Sequence, residues 1–141
     1  MHYKTAKPLK PTEAAYIAGL VDGEGSITLT RKHKGDNRQA SLSIASTERC
    51  LLDYVLDRAG VGKITNKATK SGYKPAFTYS VYNRQALDLI EQIQPYLFSY
   101  KKQRADLLLS NYIRLTPRNG KYTEQLKAER SRFESSFLAI K

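Results

Sequence analysis

Tryptophan is absent from the 141 residues, cysteine and methionine occur once each, and histidine occurs twice. A single thiol, Cys50, cannot close a disulfide within the chain, and with only His2 and His33 beside it no zinc-ligand set can form. The expectation is a reduced, intracellular protein of a bacterial or archaeal cytoplasm or an organelle. Long apolar runs are missing as well. No stretch approaches membrane-spanning length, and the start MHYKTAKPLKPTE has lysines but no apolar h-region, so neither secretion nor membrane insertion is expected. Acidic residues are scarce, 13 against 24 Lys and Arg, which leaves a net charge of +11. That imbalance calls for a polyanionic partner.

What is present is more informative. Apolar residues make up 40% of the chain, enough for one compact domain over residues 1–141 but not comfortably for two. The basic residues are concentrated: segments 25–47 and 61–82 hold Arg31, Lys32, Lys34, Arg38, Lys63, Lys67, Lys70 and Lys74 against one acid, Asp36. Both segments read as β-hairpins, so the positive field is expected on a sheet.

Pro11-Thr12-Glu13 opens a helical pattern with Thr12 as cap, and Ile17, Leu20 and Val21 on one side carry it to about Asp22. Residues 26–31 alternate with period two, the turn-prone Lys34-Gly35-Asp36-Asn37 follows, and 40–44 alternate again. Leu51, Leu52, Val55, Leu56 and Ala59 predict a helix over 47–59, stopped by Gly60. Strand-like residues 61–67 and 75–82 flank Lys70-Ser71-Gly72-Tyr73 in a second hairpin, with Ile64, Phe77, Tyr79 and Val81 toward the core. Asn83 can cap a helix through Gln94 that Pro95 ends, a further helix covers 100–115, and Leu126, Phe133, Phe137 and Ile140 stripe a last one. Helix, hairpin, helix, hairpin, helices is an α+β layout.

Residues 17–25 read Ile-Ala-Gly-Leu-Val-Asp-Gly-Glu-Gly. Ala18 and Gly19 leave one helical face nearly bare, which costs helix propensity but lets another backbone come close. Asp22 and Glu24 set two carboxylates in the last turn, where the negative end of the helix dipole disfavours them, so a compensating cation is expected. An isolated DGEG is an ordinary helix-to-strand turn with two solvated acids. The whole nonapeptide, however, resembles the LAGLIDADG motif, with Ile17, Val21 and Glu24 as conservative changes, and it lies between a helix and an alternating strand. The resemblance continues in Leu42-Ser43-Ile44 before a short helix, Gly60-Val61-Gly62-Lys63-Ile64 opening the second hairpin, and Tyr100-Lys101-Lys102-Gln103 beginning a late helix. With one motif copy, the chain is similar to the single-motif, homodimeric branch of the LAGLIDADG homing endonucleases.

That resemblance implies an antiparallel β-saddle along the DNA major groove, with the motif helix at a two-fold dimer seam and Ala18, Gly19 and Asp22 at the interface. It implies an intron-encoded enzyme that cuts both strands of a long pseudo-palindromic DNA target with divalent metal and leaves 3′ overhangs. By the motif match, Glu24 of each subunit is the metal ligand and the Gly23 carbonyl adds an oxygen. Mg²⁺ is the expected ion, and Mn²⁺ or Ca²⁺ suit the same donors. Lys101 matches the family lysine near the scissile phosphate. Ser46, the third catalytic candidate, falls where relatives commonly carry a water-holding Gln, a departure that favours a cap for the next helix.

Strand parity picks out the DNA-facing set, because side chains two apart share a face. Counting from Glu24 gives Ser26, Thr28, Thr30 and Lys32; the partner strand gives Gln39, Ser41 and Ser43; Thr65 and Lys67 continue the polar face. Lys34, Arg38 and Lys70 add cations for phosphate contacts. Two other functions use the same fold, an RNA-binding intron maturase and a DNA-binding regulator without catalysis. The acid retained at Glu24 favours the nuclease.

Overall fold

Pro11 starts helix α1 (Pro11–Glu24), where proline's missing N–H is one that the first turn leaves unbonded anyway. The Lys10 backbone N–H donates to the Glu13 carboxylate at 2.8 Å, so Lys10 takes the cap position and the expected Thr12 is already inside the helix. α1 outruns the expected Asp22 and passes directly into strand β1 (Gly25–Thr30). A Cβ on Gly25 would stand 2.7 Å from the Val21 Cα, which only glycine avoids at so tight a junction. The computed structural model describes residues 4–67 and 71–141.

The chain continues through β2 (Gln39–Ser46), α2 (Arg49–Ala59), β3 (Lys63–Lys67), β4 (Ala76–Tyr82) and α3 (Asn83–Ile93). A 3-10 turn at Gln94–Tyr96 leads to α4 (Tyr100–Asn111) and α5 (Glu124–Leu138). Asn83 does not cap α3 with its side chain. It sits at φ +58°, and its Oδ1 accepts the Tyr112 hydroxyl at 2.8 Å. The same hydroxyl accepts the Ala40 N–H at 3.2 Å, so Tyr112 ties the start of β2 to the junction of β4 and α3. No helix among the described residues is long and apolar enough to cross a membrane.

The four strands form one antiparallel sheet in the order β1-β2-β4-β3. Each expected hairpin is present, and the two join through their second strands. Ile27, Leu29, Leu42, Ile44, Tyr79 and Val81 are buried on one face, under Ile17 and Val21 of α1, Leu52 and Val55 of α2, and Leu89 and Ile90 of α3. At the start of β3 the Tyr79 hydroxyl donates to the Val61 carbonyl at 2.7 Å, and burial pushes that phenol far above its ordinary pKa. Its ring lies 2.7 Å from where a Gly62 Cβ would be, which with φ +100° reserves that position for glycine.

Two buried arginines fasten the C-terminal helices to the first hairpin. Arg104 donates to the Ile27 and Ile140 carbonyls, each at 2.9 Å, and so covers part of the open edge of β1. Arg130 donates to the Leu115 carbonyl at 3.0 Å and to the Arg38 carbonyl, pairs with Glu134 at 3.0 Å, and lies over the Tyr112 ring.

Candidate nucleic-acid interface and catalytic site

The last turn of α1 meets the first turn of α4, and each caps the other. The buried Lys101 donates its ammonium to the Val21 carbonyl at 2.8 Å, which also accepts the Gly25 N–H, and to the Asp22 carbonyl at 2.9 Å, both in the last turn of the helix. It is the cation that two acids at the negative end of a helix require. In the other direction the Asp22 carboxylate accepts the Phe98 N–H at 2.9 Å, the Ser99 N–H at 3.2 Å and the Ser99 hydroxyl at 2.5 Å. Burial pushes the Asp22 carboxyl up, but these hydrogen bonds from Ser99 and Phe98, with the Lys101 charge, outweigh it and leave the group below the usual carboxylate range.

Glu24 ends α1 with its side chain exposed, and Gly23 beside it is exposed too. Among the described residues no group of three or more His, Cys, Asp or Glu could hold a metal ion. With Asp22 committed to α4, one protomer offers one carboxylate at this point. Glu24 and neighbouring backbone carbonyls are oxygen donors that fit a hard divalent cation, provided further oxygens come from outside the protomer.

From Glu24 the polar face of the sheet follows in register. Ser26 opposes Ser43, Thr28 opposes Ser41, and Thr30 opposes Gln39, so the six residues chosen by parity on β1 and β2 lie side by side. Ser41, however, in the middle of the sheet between its neighbours, is buried and does not present its hydroxyl to a partner. Thr65 opposes Thr78 on the same face. β4 extends the face with Thr78, Ser80 and Tyr82, and β3 with Lys63, none of which was among the residues chosen from the sequence. The signal was there: with Phe77, Tyr79 and Val81 turned inward, their neighbours must turn outward. A hollow of about 480 Å³ at the far end is lined by Thr30, Arg31, Lys32, Gln39, Lys63 and Tyr82. Lys32 and Lys34 stand exposed just past β1.

Other expected residues are placed differently. Arg38 has the opposite parity to Gln39; its guanidinium turns to the helix side, donating to the Leu29 carbonyl at 3.3 Å and lying 3.9 Å from Glu134. It is therefore removed from the polar face. Ala18 is fully buried in the protomer core, so it cannot line a dimer seam, whereas Gly19 is exposed and a Cβ there would meet nothing within 4 Å. Asp22, expected at that seam, spends its carboxylate on α4. The exposed face of α1 carries Thr12, Ala15, Tyr16, Gly19 and Gly23, with Leu20 half-buried beside them. The Ser46 hydroxyl accepts the Glu48 N–H at 3.0 Å and so shapes the approach to α2. Lys67 ends β3 opposite Ala76; its side chain, and Lys70, lie outside the described residues.

A motif helix running straight into an antiparallel sheet, with an acid at the joint and a polar strand face beyond it, defines a class. A family model described as a LAGLIDADG-like domain matches residues 11–94, and the chain belongs to that family. Over 101 residues it is 32% identical to DNA endonuclease I-CreI of Chlamydomonas reinhardtii, an alignment that takes in 67% of this chain and 58% of that relative. Among solved structures, the homing endonuclease I-CvuI in complex with its target superposes with a TM-score of 0.73 at 20% identity, covering 93% of this chain and 83% of that one. The I-LtrWI LAGLIDADG homing endonuclease bound to target DNA gives 0.65 at 20% identity, with 90% of this chain matched to 45% of that chain.

Proposed function

We propose that the protein is a site-specific double-strand DNA endonuclease, a homing endonuclease that works as a homodimer on a long pseudo-palindromic target. The observation that carries this reading is the exposed Glu24 carboxylate standing at the root of a polar strand face whose members are in register. A second copy related by a two-fold axis would bring a second Glu24 alongside the first, and Gly19 and Gly23 on the exposed face of α1 leave room for that approach. The match of this fold to less than half of a solved LAGLIDADG chain supports the pairing, since one protomer then supplies half of a working unit.

Glu24 of each subunit, with the Gly23 carbonyl, would hold Mg²⁺ against the phosphate oxygens of DNA. A divalent ion so held supplies Lewis-acid stabilisation of the phosphate and lowers the pKa of a bound water. The chain's own residues do the rest. Ser26, Thr28, Thr30, Gln39, Ser43 and Thr65 offer hydroxyls and an amide to base edges, and Lys32, Lys34 and Lys63 supply charge for phosphates. Lys101, fixed on the Val21 and Asp22 carbonyls, keeps a positive charge at the last turn of α1. Both strands are cut to leave 3′ overhangs.

The test is selection of cut molecules from a randomised duplex library in Mg²⁺, with wild type and Glu24→Gln side by side. The wild type is expected to cut a defined site, and the variant to bind it but cut about a thousandfold more slowly or worse, the several kcal/mol a catalytic cation supplies. Binding without cutting by the wild type would make the protein a regulator, and preference for intron RNA over duplex DNA would make it a maturase.

A further inference from the structure

The proposed reaction gives Glu24 and Lys101 their tasks and leaves Asp22 and Ser99 with none. Yet these two form the tightest polar contact of the region, Ser99 Oγ to Asp22 Oδ1 at 2.5 Å. The same serine hydroxyl also accepts the Lys101 backbone N–H at 3.2 Å, so it caps α4 and grips α1 at once. Lys101, anchored in that first turn, then reaches back to the Val21 and Asp22 carbonyls. The result is a closed circuit: a side chain of α1 holds α4, and a side chain of α4 holds α1.

Glu24 has little else to fix it. Its side chain is exposed, it is flanked by Gly23 and Gly25, and a Cβ on Gly23 would touch nothing. The backbone that aims its carboxylate is set by the Gly25 N–H to the Val21 carbonyl, by the pairing of Gly25 with Ile44 and by the two bonds from Lys101 just before it. We infer that Asp22 and Ser99 are a positioning pair for the metal-ligating acid: by locking α4 onto the last turn of α1 they fix the direction in which Glu24 leaves the helix. The inference rests on Glu24 being the ligand proposed above. It differs from a packing role because the pair restrains one turn and buries no apolar surface of its own.

The experiment takes the full chain as wild type, Ser99→Ala, Ser99→Thr and Asp22→Asn. It measures amide deuterium exchange over residues 23–26 without DNA, and single-turnover cleavage across a range of Mg²⁺ concentrations. Ser99→Ala is expected to speed exchange over 23–26 while the rest of α1 and the sheet keep wild-type protection. It should also raise the Mg²⁺ midpoint by about tenfold, as losses behind a metal ligand do, with the rate largely restored at saturating Mg²⁺. Asp22→Asn should act in the same direction, and Ser99→Thr, which keeps the hydroxyl, should restore both readouts. Unchanged exchange at 23–26 in Ser99→Ala, loss of protection spread evenly through α1 and β1, or failure of Ser99→Thr to rescue would overturn the pair. A wild type that cuts no DNA would remove the nuclease reading instead, and the exchange data alone would then decide whether the pair restrains this turn.

Discussion

Asn83 is the one non-glycine residue with positive φ among the described residues, at the point where β4 turns into α3. A left-handed backbone costs an ordinary residue roughly 1–2 kcal/mol, and a lost neutral hydrogen bond about 1 kcal/mol more. Asn83→Ala suffers both losses and is expected to lower stability by about 2 kcal/mol, whereas Asn83→Gly escapes the strain and should lose about half as much. Urea denaturation of the two variants reads the difference, and equal losses would mean that the bond to Tyr112 alone matters. The sequence presents Asn83 as a helix cap because asparagine caps well; the property that serves here is its tolerance of the left-handed region. Local sequence cannot choose between those uses when the deciding partner, Tyr112, arrives from another helix. The same holds at the end of α1. Two acids there demand a cation, a need visible in residues 22–24, but the hydrogen bonds that join Lys101, Ser99 and Asp22 depend on how α4 is docked. Arg104 and Arg130 left no signal at all, since a charged residue on a helix reads as solvated until something covers it.

At the level of elements, period-two alternation assigned the faces of β1 and β2 before any pairing was known, and the register bears that out from Ser26 to Gln39. A one-residue slip would have turned every side chain over, which is why strand parity is the most dependable reading in a sequence of this kind. Neighbour order was not legible, because alternation says which way a strand faces and nothing about which strand lies beside it. On the proposed function the sheet also separates two kinds of DNA contact. Gln39 lies in the polar face, where an amide can pair with one adenine edge, while Lys32 stands on the connection past β1. Gln39→Ala is expected to cost about 1–3 kcal/mol at one base pair of each half-site and to relax discrimination there. Lys32→Ala should weaken all targets alike and flatten the salt dependence of binding. Affinities for targets varied one base pair at a time, at two salt concentrations, distinguish the two; an even loss for Gln39→Ala would make it a backbone contact.

For the molecule as a whole, Gly19 separates the needs of the protomer from those of its assembly. Nothing in the protomer forbids a side chain there, and replacing a mid-helix glycine commonly gains up to about 1 kcal/mol. Gly19→Leu is therefore expected to stay folded, to sediment as a 16.0 kDa monomer where wild type sediments as a dimer, and to lose cleavage. A variant that stays dimeric and active would remove α1 from the seam. The strand order carries a different consequence, for the time in which the molecule forms. Each hairpin joins near neighbours and can zip in microseconds, but the central pairing brings Ser41 to Tyr82 and Ser46 to Phe77 across α2 and the second hairpin. Closure entropy weighs more on that joint than on either hairpin, so docking of the hairpins is expected to be slower than the zipping of each. The two halves of the polar face are brought together in the step that seals the core beneath them. A chain whose hairpins have not docked therefore has only half of the polar face, and on the proposed function the capacity to recognise a target waits on that docking.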